Sequence, residues 1–209
     1  MDRRAWIDER REAVRAEYDA EAATYDENPY PAAVQEEWIR RLLATCPEGG
    51  TVLDAPCGTG RYFSVVVGSG RRVVGVDQSA GMLEQARARN LAVGLEHVGL
   101  QELAHVAQFD AVMTVDAMEN VAPEDWPLVL ANLHRALLPG GHLYVTVEEQ
   151  ADADIDRAHA DLVARGLPVV RGEVVEGDVA GYHYYPSREQ VLRWIEAEGL
   201  DLVDERYQQ

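Results

Sequence analysis

The sequence contains no lysine: all nineteen of its cations are arginine. That absence removes the Gly-Lys-Ser/Thr step of a phosphate-binding P-loop. Against thirty-seven acidic residues the arginines leave a formal charge of −18. No basic stripe stands out that could release counterions from a phosphate backbone, so DNA and RNA are not expected as partners. The acidity serves solubility first, and it also favours a cationic ligand. Cysteine is scarce, with only Cys46 and Cys57, which excludes a disulfide scaffold. No run approaches the ~20 apolar residues of a membrane span, and the first residues are charged, so a soluble, cytoplasmic protein without membrane contact is expected. Repeats, low-complexity linkers and Asp/Glu/His clusters with metal-ligand spacing are also missing, and no metal is expected.

What is present is a strand, a glycine turn and a distal acid. Val52-Leu53-Asp54 runs into Ala55-Pro56-Cys57-Gly58-Thr59-Gly60, and a second apolar run, Val73-Val74-Gly75-Val76, closes on Asp77. Glycines let the backbone turn sharply and approach a ligand, and a carboxylate at the next strand end can accept hydrogen bonds from a ribose diol. The pairing points to a nucleoside-containing cofactor. A dinucleotide loop needs a third glycine for close helix–strand packing, and that position is Phe63. Cys57, inside the turn where a small residue is needed, reads as a packing residue rather than a nucleophile.

Strands are expected at 51–56, 72–77, near 95–98, at 109–115 and at 141–147. Helices are expected over most of the first thirty residues, ended by Asn28-Pro29-Tyr30-Pro31, then at 33–43, 60–68, after Ser79, after Asp125 and at 154–165. Ser79 and Asp125 read as caps, with Pro127 tolerable only in a first turn. Ser187-x-x-Gln190 reads as a capping box opening a helix that ends at Gly199, and 200–207 alternates like a last strand. Alternating strands and helices at short spacing imply βαβ units, hence an α/β, Rossmann-like, doubly wound and mostly parallel sheet with helices on both faces. The length suits a single domain, 1–209, with 1–45 as a helical cap.

The set Asp54-x-x-x-Gly58-x-Gly60, Asp77, Phe109-Asp110-Ala111-Val112 and Leu138-Pro139-Gly140-Gly141, in that order, resembles the class I S-adenosylmethionine-dependent methyltransferases of small-molecule type. The resemblance spans roughly 15–207. It implies S-adenosylmethionine as cofactor, S-adenosylhomocysteine as product, and methyl transfer to an oxygen or nitrogen of a small molecule. Binding of the cofactor without transfer is an alternative within the family, and a nicotinamide oxidoreductase, disfavoured by Phe63, is one outside it. The protein is expected to be a monomer or homodimer.

The resemblance places Asp54, Ala55, Gly58 and Gly60 in the cofactor loop, Asp77 and Gln78 at the ribose and Met82 over the adenine. Tyr18 and Tyr25 resemble a segment folding over the cofactor, though docking of the helix accounts for them equally. After the third strand the family often carries Gly-Asp, but here Leu100 follows Gly99, leaving Gln101 or Glu102 to serve. Asp116 faces the cofactor end of the fourth strand and Glu119 the acceptor side, where a helix-entry acid is the alternative. His183, between tyrosines, is a candidate base, as are Glu148 and Glu149. A structural histidine explains His183 as well. Finally, a sheet of this family closes with a hairpin beside the fifth strand, and 200–207 offers only its first arm. The expectation is a further C-terminal segment, or else a substitute strand from 173–185 or from another chain.

Overall fold

The computed structural model describes residues 2–27, 32–89, 92–175 and 181–207. Strands β1 (Thr51–Asp54), β2 (Arg72–Asp77), β3 (Gly94–His97), β4 (Phe109–Thr114) and β5 (Leu137–Val145) form one sheet in the order β3-β2-β1-β4-β5. Every pairing in it is parallel. Helices α1 (Arg3–Glu21), α2 (Ala33–Thr45), α3 (Phe63–Gly68), α4 (Ala80–Ala88), α5 (Trp126–Ala136), α6 (Asp152–Ala164) and α7 (Arg188–Ala197) complete the α/β architecture, with a separate antiparallel hairpin of β6 (Glu173–Val175) and β7 (Tyr182–Tyr184).

The pleat divides the core. Leu53, Val76 and Val112 face one side with Trp6 and Val14 of α1, Trp126 and Leu130 of α5, and Tyr182 and Tyr184 of β7. Val52, Val73, Ala111 and Met113 face the other, with Ile39 and Leu43 of α2, Phe63 and Val66 of α3 and Leu83 of α4. Both faces of β1, β2 and β4 are therefore covered, as a parallel sheet requires.

The chain departs from sequence expectation at several points. The first helix stops at Glu21, and Tyr25–Glu27 forms a short 3₁₀ turn; the Asn28–Pro31 break lies outside the described residues. Asp125 makes no side-chain cap to α5, because its carboxylate accepts instead from Arg11 and from Gln101. Ser79 does cap α4, its hydroxyl accepting from Met82 N–H at 3.0 Å. Ser187 caps α7, while the Gln190 amide oxygen accepts from Arg193 rather than closing the box. Strand β5 starts at Leu137, since Leu137 pairs with Phe109 and a register shift then absorbs Pro139 and Gly140. Residues 200–207 form no strand, and 201–207 are exposed; ion pairs of Asp204 with Arg41, Glu205 with Arg188 and Arg206 with Glu37 hold them to α2 and α7. The β6–β7 hairpin does not join the main sheet, so β5 is an edge of it among the described residues. No helix among the described residues is long and apolar enough to cross a membrane.

Candidate cofactor and acceptor site

Ligands in open α/β sheets bind beyond the carboxyl ends of the strands. A cavity opens there, walled by the ends of β1, β2 and β4 and roofed by α1 and the turn after it. Its wall includes Tyr18, Tyr25, Asp54, Gly58, Asp77, Gln78, Met82, Gln101 and Asp116, all expected from sequence.

The floor is a locked turn. Asp77 accepts from Gly58 N–H and from Ser79 N–H, each at 2.8 Å, tying the glycine loop to the start of α4. A carboxylate has about four lone-pair positions, so two remain after those bonds. Burial raises the pKa of Asp77, and the two N–H donors partly offset it. Asp54 is fully enclosed, and its Oδ2 has no hydrogen-bond partner among the described residues. Burial, and then the charge of Asp77, hold its carboxyl well above the usual carboxylate range. An orphaned buried carboxylate oxygen on a cavity wall suits a cationic ligand group, such as the amino group of a methionine moiety.

Phe63 explains why the dinucleotide pattern fails here. Its ring is fully buried and fills the space under the turn: a Cβ on Gly60 would meet Phe63 Cε2 at 2.5 Å, and one on Gly75 would meet Phe63 Cζ at 2.6 Å. Gly60 also has φ +74°. It is thus a packing residue and does not line the cavity. Gly60→Ala is expected to destabilise by about 1–3 kcal/mol through combined strain and overpacking. Gly70→Ala, at φ +80° with nothing within 4 Å, serves as the control for backbone strain alone. Urea unfolding should show Gly60→Ala losing more; equal losses would mean that the Phe63 contact contributes nothing.

The roof is tied down by polar contacts that the sequence reading missed. Asp19 of α1 accepts from Ser79 Oγ at 2.6 Å and Gly81 N–H at 2.9 Å, capping α4 from outside. Asp26 accepts from Thr59 Oγ1 at 3.0 Å and from Arg89 Nη2 at 2.7 Å, while Arg89 Nε donates to Thr59 O at 2.5 Å. The turn after α1 is therefore clamped onto the glycine loop. The wall also includes Arg11, Thr59, Arg61, Tyr62 and Asn120, none of them expected. Only the reading of Tyr18 and Tyr25 as a segment folding over the cofactor hinted at the clamp.

Other expected residues lie off the wall. Ala55 is interior to the sheet, donating its N–H to Met113 O at 2.9 Å. Glu102 lines a shallower neighbouring hollow with Arg11, Gln78, His97 and Gln101. Glu119 is buried directly behind the wall: its Oε1 accepts from Asn120 Nδ2 at 3.2 Å, and Asn120 also contacts Tyr18 Oη at 3.3 Å. Glu148 is exposed. His183 sits in the β6–β7 hairpin opposite Val174, its ring stacked on Tyr185 at 6.0 Å. Tyr182 and Tyr184 turn inward, and strand alternation leaves His183 on the other face.

The fold agrees with comparisons to known proteins. The methyltransferase domain family matches residues 52–141. The malonyl-[acyl-carrier protein] O-methyltransferase of Serratia marcescens is 34% identical over 135 residues, covering 63% of this chain and 51% of that protein. The ubiquinone/menaquinone biosynthesis C-methyltransferase of Methylococcus capsulatus is 28% identical over 214 residues, covering 92% and 86%. This chain thus spans about half of the first relative and most of the second. A crystal structure of an S-adenosylmethionine-dependent methyltransferase from Methanosarcina mazei superimposes with a TM-score of 0.66 at 17% identity, covering 82% of this chain and 84% of that one. Residues 52–141 thus match a methyltransferase domain, and the fold that holds them is that of S-adenosylmethionine-dependent methyltransferases.

Proposed function

We propose that the protein transfers the methyl group of S-adenosylmethionine to an oxygen or nitrogen of a small-molecule acceptor, releasing S-adenosylhomocysteine. The observation that carries the cofactor assignment is Asp54, enclosed on the cavity wall with an oxygen that no described residue satisfies. Gly58, open on its Cβ side, Asp77 with two acceptor positions left, and Met82 fit the rest of such a ligand. When bound, S-adenosylmethionine supplies an electrophilic methyl carbon. The protein's part is to orient the acceptor in line and keep water out. The clamp of Asp26 on Thr59 and Arg89, closing α1 over the loop, supports the second task.

The relatives' names cover O-methylation, of malonyl-[acyl-carrier protein], and C-methylation, in ubiquinone/menaquinone biosynthesis. The acceptor atom here is therefore a reading from this chain. Its −18 charge and lack of lysine support a small molecule over nucleic acid. A nicotinamide cofactor is the weaker reading, because Phe63 occupies the place of the third glycine.

Calorimetry tests the reading. Wild type should bind S-adenosylhomocysteine and not NAD. Asp77→Ala should lose about 1.5–3 kcal/mol of that affinity, the range for hydrogen bonds to a charged group. Tight NAD binding, or an unimpaired Asp77→Ala variant, counts against the assignment. Submicromolar binding of tRNA in a low-salt filter assay would overturn the small-molecule part.

A further inference from the structure

Cofactor recognition leaves one end of the cavity unexplained. In the proposed reading the ribose and the amino group are held by Asp77 and Asp54, at the ends of β2 and β1. The next strand in the sheet is β4, and the cavity continues past its end to Asn120, with Tyr18 of α1 on the same wall. That wall also carries both Arg61, over the Tyr25 ring at 5.4 Å, and Asp116, so charge of one sign does not distinguish this end. Its pattern of hydrogen-bond donors and acceptors does.

Asn120 is fixed by its backbone and by its amide. It closes a 3₁₀ turn, Met118–Asn120, whose Met118 is fully buried. An amide nitrogen has two hydrogens to give, and Asn120 Nδ2 spends both, on Glu119 Oε1 at 3.2 Å and on Tyr18 Oη at 3.3 Å. Buried Glu119 offers Oε1 as the acceptor, which keeps the amide nitrogen on its side and turns the amide oxygen away. Two groups are then left over. Among the described residues Asn120 Oδ1 meets no donor, and the Tyr18 O–H, whose oxygen is already an acceptor, meets no acceptor of its own. A donor and an acceptor side by side on one cavity wall match a group that both accepts and donates, as a neutral hydroxyl does. An ammonium only donates and a carboxylate only accepts, so either would leave one of the two unsatisfied.

We propose that Tyr18 and Asn120 form a subsite for a neutral hydroxyl of the methyl acceptor, which donates to Asn120 Oδ1 and accepts from the Tyr18 O–H. This rests on the methyltransferase reading and narrows it to acceptors that carry a hydroxyl. Glu119 is a positioning residue: it fixes the Asn120 amide and does not touch the ligand. None of the three is assigned a proton transfer.

The probes are phenol, which donates and accepts, and anisole, whose ether oxygen only accepts. Each is titrated by ligand-observed NMR into protein saturated with S-adenosylhomocysteine, which fills the cofactor's own place. The phenol-to-anisole affinity ratio is compared between proteins, so the difference in probe size cancels. Asn120→Leu removes the acceptor for the phenol hydrogen and should lower the ratio about threefold or more, with anisole nearly unchanged. Tyr18→Phe removes the donor that both oxygens use and should weaken both probes by a similar factor. Glu119→Gln keeps an oxygen for Asn120 Nδ2 and should preserve the wild-type ratio, whereas Glu119→Leu should lower it. That pair carries the test if Asn120→Leu fails to fold or to hold S-adenosylhomocysteine. No binding of phenol to wild type, a ratio unchanged by Asn120→Leu, or a Glu119→Gln variant as impaired as Glu119→Leu would overturn the subsite and leave the methyltransferase reading standing. Failure of S-adenosylhomocysteine to bind wild type would instead overturn the reading beneath it.

Discussion

Glu173→Ala is expected to cost about 3–5 kcal/mol of folding stability, the range for breaking a buried ion pair from one side. Glu173 is fully buried at the start of β6. One carboxylate oxygen accepts from Arg3 Nη1 at 2.7 Å and Val170 N–H at 2.7 Å. The other accepts from Arg3 Nη2 at 2.7 Å and Tyr182 Oη at 2.8 Å. Four donors thus converge on one acid, joining the first turn of α1 to the β6–β7 hairpin across most of the sequence. Alanine would strand the buried Tyr182 hydroxyl, take the acceptor from the Val170 N–H, and leave Arg3 with the Pro168 carbonyl and with Glu124, which is 46% exposed. Burial lowers the pKa of Arg3, but its hydrogen bonds to Glu124 and Glu173 outweigh that and raise it, so the guanidinium stays charged and cannot escape the cost by losing its proton. Urea unfolding measures the loss. A change below about 1 kcal/mol, the scale of an exposed pair, would mean that the cluster does not hold the hairpin. Arg3→Met combined with Glu173→Gln should lose less than Glu173→Ala, because no charge is then left unpaired.

That cluster also shows what a sequence conceals. Strand β2 is legible to the residue, because Val73, Val74 and Val76 form an apolar run that ends in an acid. The parallel pairing of the sheet follows from βα alternation and needs no long-range information. The cofactor end was legible for the same reason: strand ends converge by topology, so Asp54, Gly58, Asp77 and Asp116 had to be neighbours. Side-chain partners chosen across the fold were not legible. Arg3 and Glu173, Asp26 and Arg89, and Asp19 and Ser79 are far apart in the chain, and nothing local marks them. The strand expected at 200–207 failed for a related reason. Alternation says which way side chains would face if an edge paired with the segment, but not that one does, and here three ion pairs set its course instead. Asp125 followed suit: a cap by position, it is taken by Arg11 of α1.

Glu119 should make stability depend on pH in the sense opposite to an ordinary salt-bridged acid. Burial is the main cause: it pushes the Glu119 carboxyl up to about 8, the charges of Glu148 and Asp116 add to it, and hydrogen bonds from its own N–H and from Asn120 offset only part. Below the unfolded value of 4.5 both states hold the proton, and the contribution of Glu119 to stability is fully present. Between 4.5 and about 8 the unfolded chain releases the proton while the folded chain keeps it, so stability is lost as pH rises. Above about 8 both states are ionised and the loss is complete. Asp54 and Asp77, also raised, act in the same direction, so wild type alone cannot isolate the effect. Glu119→Gln isolates it, because the amide resembles the protonated acid and does not titrate. Measured by urea unfolding at pH 5, 6, 7 and 8, the variant should gain on wild type with each step, by about 3–4 kcal/mol across the range. Glu148→Gln should shrink that gain, since removing one neighbouring charge lets Glu119 ionise at lower pH. A difference between Glu119→Gln and wild type that stays flat from pH 5 to 8 would show that Glu119 is ionised in the folded protein throughout, and that its unpaired Oε2 is reached by solvent.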